Sequence, residues 1–105
     1  MPQFSVYQNL NTKSRELFPF MVEIQSNLLK DLPTTVVVPL CNPNSFGGKV
    51  ITRLCPVIEF DGKQFMAVSP QLAGVERKIL GKEVANVPNW RDALLASIDF
   101  ILSGI

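Results

Sequence analysis

No histidine occurs among the 105 residues. Its absence removes the commonest general base, the usual Ser–His and Cys–His pairs and most zinc sites. Acid–base chemistry would have to run on carboxylates, Lys, Arg or the single tyrosine, Tyr7. Cys41 and Cys55 lack a second pair to complete a zinc site. With apolar neighbours in a chain without an export signal, they are expected as reduced packing residues rather than a disulfide. Glu59 and Asp61 could be drawn as a catalytic carboxylate pair, but they flank a turn and read as solvated. Gly47-Gly48 reads as a turn, not a phosphate cradle. Walker A, G-x-S-x-G, H-E-x-x-H and C-x-x-C patterns are all missing. No catalytic residue, metal or cofactor is therefore expected.

Binding is the remaining chemistry. Net charge is +1 and charged residues make up 18% of the chain, so no basic face is announced for nucleic acid. Lys13, Arg15, Lys49 and Arg53 are scattered over expected loops and strand ends, where they form at most a small positive rim. Phe46 lies in the turn-rich segment Cys41–Gly48 and is a candidate contact residue. The C-terminus is the oddity. Asp99-Phe-Ile-Leu-Ser-Gly-Ile105 ends the sequence inside an apolar helical pattern with no polar tail, whereas chain ends normally fray into solvent. A mean hydropathy of +0.21 and 47% hydrophobic residues exclude disorder and leave apolar surface to be covered by a partner. The stretch Ala93–Ile105 is too short to span a bilayer, and no signal peptide is visible in Met1–Ser14. The expected location is the cytoplasm, with no membrane partner.

The elements that must position these residues are mostly short antiparallel strands in one domain, 1–105. Strands are expected over Gln3–Gln8, Leu17–Gln25 and Thr34–Leu40, the last β-branched almost throughout, as in a strand buried on both faces or beside an interface. Asn9–Glu16 is a polar connection. Val50–Phe60 reads as one or two strands interrupted at Pro56. Asp61-Gly62 between Val57–Phe60 and Lys63–Val68 predicts a two-residue hairpin turn, and Val75–Leu80 predicts a further strand. Only the end is helical, with Pro88 in the first turn and Asp92 near the positive end of the dipole. Trp90, Leu94, Ile98, Ile101, Leu102 and Ile105 form the expected core stripe. A helix apolar nearly all round wants burial on two sides, one against the sheet and one against a second copy of the chain.

The sequence resembles the CcdB family, the toxin half of a bacterial toxin–antitoxin module that poisons DNA gyrase. The resemblance rests on Gln3-Phe-Ser-Val-Tyr7, Val22-Glu-Ile-Gln-Ser-Asn-Leu-Leu29, Val37-Val-Pro-Leu40, Leu54-Cys-Pro-Val-Ile58, Gly81-Lys-Glu-Val-Ala85 and the terminal Gly104-Ile105. It implies an SH3-like small barrel of antiparallel strands with one long C-terminal helix, mainly β overall, in a two-fold homodimer. It also implies a non-enzymatic poison that binds the DNA gyrase A subunit and traps the gyrase–cleaved DNA complex. Carried over by position, the gyrase-facing residues are Leu28, Leu29, Asp99, Leu102, Ser103, Gly104 and Ile105. A cognate CcdA-like antitoxin would fold over a neighbouring surface, for which Lys13, Arg15, Phe46 and Lys49 are candidates. The family's best-known member has a tryptophan at the position of Ser103 and an asparagine at that of Asp99. Two alternatives stay open: a ribonuclease-type toxin on the same barrel, and a non-toxic relative acting as a binding module.

Overall fold

The computed structural model describes residues 4–24, 32–46 and 55–103. Among the described residues, seven antiparallel strands form a curled half-barrel sheet, followed by one C-terminal helix. The strands are β1 (Ser5–Asn9), β2 (Phe20–Glu23), β3 (Thr34–Cys41), β4 (Val57–Phe60), β5 (Lys63–Ala67), β6 (Ala73–Glu76) and β7 (Leu80–Asn86), followed by α1 (Arg91–Ser103). Their order is β4-β5-β3-β2-β1-β7, with β6 also paired to β3.

The long strand β3 organises the sheet. One of its edges pairs with β2, while the other is divided between β6, against Thr34–Val37, and β5, against Leu40 and Cys41. A row of three fully buried valines, Val6, Val22 and Val38, runs in register across β1, β2 and β3. Leu40, Ile58 and Leu94 join them in the main core, with Phe20, Phe60 and Phe65 in mutual ring contact beside it. The opposite face of β3 is buried as well: Thr35, Val37 and Cys41 are all at most 1% exposed. Cys41 packs there with Met66 and Val68, flanked by Phe18 and Cys55. Period-two alternation places these side chains on the two faces, so the β-branched composition of this strand reports burial on both.

Asp61 and Gly62 both take left-handed backbone angles, φ 53° and 71°, between the paired residues Phe60 and Lys63. This is the tight hairpin expected from the Asp-Gly pair. Elsewhere the structure departs from the sequence pattern. β2 is shorter than Leu17–Gln25 because the Phe18 amide donates back to the Ser14 carbonyl at 2.8 Å, keeping the start of that run in the preceding turn. The strand expected over Val75–Leu80 is broken by a 3-10 turn at Arg77–Ile79, where Arg77 reaches Glu23, and the chain resumes as β7. β7 pairs with β1 through two register shifts. Those irregularities erase the alternation by which a strand is read.

A 3-10 turn, Pro88–Trp90, leads into α1. Trp90, Leu94, Leu95 and Ile98 pack on the core, but Leu102 is 72% exposed. At 3.6 residues per turn, the eight residues from Leu94 to Leu102 carry the side chain roughly 80° around the axis, off the barrel. Leu102 is thus no part of the core stripe, while Leu95, not among the residues named for it, packs on the core. Among the described residues no helix is long and apolar enough to cross a membrane. Gly47-Gly48 and residues 50–54 of the expected Val50–Phe60 stretch, Arg53 included, lie outside the described residues.

Candidate functional site

The exposed end of α1 is the first candidate surface. Its inner side is set by Leu94, fully buried, and by Ser97, 2% exposed. Asp99 and Leu102 are both exposed and lie three residues apart, which places them on one strip of the helix. Phe100, 41% exposed, lies on the adjoining strip with the exposed Ala96. One exposed leucine means little on a protein surface. Here a leucine, a phenylalanine and a carboxylate gather in the last turn of a helix whose other side is anchored, which suits a partner's apolar pocket rimmed by donors. Ser103 is the last residue of α1. Leu28, Leu29, Gly104 and Ile105 lie outside the described residues, so the structure brings together Asp99, Leu102 and the Ser103 backbone from the expected set.

The second surface is the connection between β1 and β2, and it is built around a residue that the sequence reading passed over. Asn9 is 4% exposed. Its Nδ2 donates to Ser14 Oγ at 3.0 Å and to the Phe18 carbonyl at 2.8 Å, while its Oδ1 accepts the Asn11 amide at 2.9 Å. Asn11 repeats the motif by accepting the Lys13 amide at 2.9 Å. The Arg15 amide also returns to the Asn11 carbonyl at 2.9 Å. Lys13 and Arg15 are therefore exposed cations on a hydrogen-bonded frame, with ordering entropy already met before any partner binds. The signal was present in the sequence, since asparagines two apart in a polar connection favour turns closed by their own side chains. Phe46 closes a 3-10 turn, Pro43–Phe46, that opens with the same device, Asn42 Oδ1 accepting the Asn44 amide at 2.9 Å. Lys49 lies outside the described residues.

A third group is buried and polar. Glu23, 6% exposed, accepts from Thr35 Oγ1 at 2.6 Å and from Arg77 Nη1 at 2.9 Å on the same carboxylate oxygen. Burial, and secondly the charge of Glu23, push the Tyr7 hydroxyl above its ordinary value. Tyr7 thus stays protonated at neutral pH. Both thiols are free, Cys41 buried and Cys55 partly so, and burial raises each above its ordinary value. Among the described residues no group of three or more Cys, Asp or Glu gathers in a metal-binding arrangement.

Comparison with known proteins agrees with this architecture. A solved structure described as an endoribonuclease in complex with its cognate antitoxin, from a mycobacterial species, matches with a TM-score of 0.76. The match covers 97% of this chain and 94% of that one at 11% sequence identity, so what the two share is the fold. The family model described as CcdB protein matches residues 3–104. That span takes in every strand of the half-barrel and all of α1, and the chain belongs to the CcdB family.

Proposed function

We propose that this protein is the toxin of a toxin–antitoxin pair, and that it acts as a homodimer binding the A subunit of DNA gyrase and trapping that enzyme on cleaved DNA. Family membership supports the toxin reading. The observation that carries the surface assignment is Leu102, 72% exposed at the end of a helix anchored by Leu94. A poison of this kind needs no catalytic group. It needs a surface that binds one state of its target better than the others, because only differential affinity shifts an equilibrium. Leu102 supplies apolar area, and Asp99 on the same strip supplies a charge that selects a donor-rimmed pocket. Gly104 and Ile105 extend that surface in sequence, with Leu28 and Leu29 as further candidates.

The antitoxin site is assigned to Lys13 and Arg15 on the Asn9 frame, with Phe46 and Lys49 as further candidates. A preformed cationic pair attracts an acidic disordered tail, which pays its ordering entropy on binding. The setting for all of this is the cytoplasm.

The test uses purified protein, gyrase and supercoiled plasmid, with structured RNA incubated in parallel. Gyrase-dependent linear DNA, released on denaturation and suppressed by the antitoxin, is the expected result. RNA cleavage without gyrase would replace this reading with that of a ribonuclease on the same fold, the activity in the description of the structural neighbour.

A further inference from the structure

Besides its apolar contacts with the core, α1 lies against the 3-10 turn Ser69–Gln71. At that contact two serines face each other with Oγ atoms 2.7 Å apart, Ser69 1% and Ser97 2% exposed. The direction of the bond follows from counting protons. Ser97 Oγ donates its only hydrogen to the Leu94 carbonyl at 2.8 Å, so Ser69 must donate into Ser97. Ser69 is itself held from several sides. Its carbonyl accepts the Leu72 amide at 3.0 Å, and the preceding Val68 amide donates to the Pro39 carbonyl of β3 at 3.0 Å. The Val68-Ser69 segment is therefore hydrogen-bonded to β3 through Val68 and to the middle of α1 through Ser69.

Apolar packing alone would leave the helix poorly aimed. Leu94 is the one fully buried side chain of α1 among the described residues, and hydrophobic contact is non-directional. Trp90, Leu95 and Ile98 also pack on the core, and these contacts too carry no fixed direction. Ser97, one turn beyond Leu94 on the same side, adds a contact with a fixed direction. Asp99 and Leu102 follow within five residues.

We infer that the Ser69–Ser97 hydroxyl pair is a positioning device that sets the rotation of α1 on the barrel and so the direction in which Asp99 and Leu102 are presented. The inference rests on the reading of that helix end as the target-facing surface. Neither serine touches the target; both act through the helix.

The deciding variant is the double substitution Ser69→Ala, Ser97→Ala. Replacing both partners of a buried hydrogen bond by apolar groups is nearly neutral for stability, whereas Ser97→Ala alone leaves the Ser69 hydroxyl buried without its acceptor. The double variant is expected to melt close to the wild type yet bind the gyrase A subunit about fivefold to tenfold more weakly, the equivalent of one misplaced contact. Its α1 amides should exchange hydrogen faster while those of β3 keep wild-type protection. A purely structural pair would give wild-type affinity once stability is restored, and wild-type affinity in the folded double variant overturns the inference. If the wild-type protein itself does not bind gyrase, the proposed target fails separately. Amide exchange then decides, with unchanged α1 protection as the overturning result. Should the double variant not fold, Ser69→Ala alone carries the same comparisons, because Ser97 stays satisfied by the Leu94 carbonyl.

Discussion

Arg77 and Glu23 are 54 positions apart in sequence and joined in space, Nη1 lying 2.9 Å from the carboxylate oxygen that Thr35 also holds. The same guanidinium donates through Nε to the Leu32 carbonyl at 2.8 Å. One side chain thus ties the end of β2 to the approach to β3, and the Arg77 amide adds a bond to the Pro33 carbonyl at 2.9 Å. Only a planar fork with several fixed donors can serve two acceptors set at different angles, so lysine is not an equivalent here.

Arg77→Met should therefore destabilise through the charge it strands. Breaking a fully buried pair costs about 3–5 kcal/mol. The Arg77 side chain is 28% exposed, so water shares the load and the expected loss is about 2–3 kcal/mol. Glu23→Gln in the same background removes the stranded charge and should recover at least half of it. Urea unfolding of the two variants measures both, and an Arg77→Met variant as stable as wild type would show the pair to be incidental.

The Asp61-Gly62 turn makes a backbone prediction. Gly62 sits at φ 71° with open space where a Cβ would be, so Gly62→Ala meets strain without a clash. The expected loss is about 1 kcal/mol. Asp61→Asn, which tolerates the left-handed region, should leave the unfolding midpoint unchanged. A neutral Gly62→Ala would mean that the turn relaxes to another type.

Gly81 is constrained by space instead. A Cβ there would lie 2.9 Å from Leu10 Cδ2 and 3.2 Å from Gln8 Cβ. The Leu10 tip can swing away, but Gln8 Cβ is fixed by the backbone of β1. Gly81→Ala should cost about 1–3 kcal/mol, the usual range for overpacking. Leu10→Ala in the same chain should relieve part of the loss, a non-additivity that a double-mutant cycle reads directly.

How legible these features were in the sequence depended on whether the local pattern and the tertiary partner agreed. The Asp61-Gly62 hairpin and the doubly buried Thr34–Cys41 strand were readable because turn chemistry and β-branching are local. β7 was not, since its bulged pairing with β1 breaks the alternation and Gly81 looks like a loop residue until Leu10 is seen beside it. Asp99 and Leu102 are candidates through family resemblance, not through any local pattern. The Ser69–Ser97 contact could not have been found, because nothing in either segment marks two serines 28 positions apart as partners. The expected stripe, Trp90 to Ile105, included Leu102, which is exposed, because periodicity does not say where the barrel ends.

High pH should weaken the fold. Burial raises the two thiols above their ordinary 9.0 and the Tyr7 hydroxyl above its ordinary 10.0. Above those ordinary values the unfolded chain loses protons that the folded one still holds. This contribution is fully present below them and is lost as pH rises through the higher folded values. Urea midpoints measured from about pH 7 to about pH 11 should fall from roughly pH 9 upward. Tyr7→Phe should flatten the later part of the fall. A midpoint that rose over this interval would reverse the sign of the argument.

The final prediction separates binding from folding at Leu102. Its side chain is 72% exposed, so Leu102→Glu removes little buried area and should change stability by less than about 0.5 kcal/mol. At an interface the same change places a carboxylate, already beside Asp99, against a surface that would have received an apolar group. Loss of a central apolar anchor with charge introduced costs about 2–4 kcal/mol of binding, or roughly thirtyfold to a thousandfold in affinity. Gyrase A binding and gyrase-dependent DNA cleavage should therefore fall together, while the antitoxin, assigned to Lys13 and Arg15, still binds. The reciprocal variant, Lys13→Glu with Arg15→Glu, should lose the antitoxin and keep the cleavage. Calorimetric titration of both variants against both partners gives four affinities. If Leu102→Glu weakened both partners equally, the two surfaces would be one, and the antitoxin would act by covering the end of α1 directly.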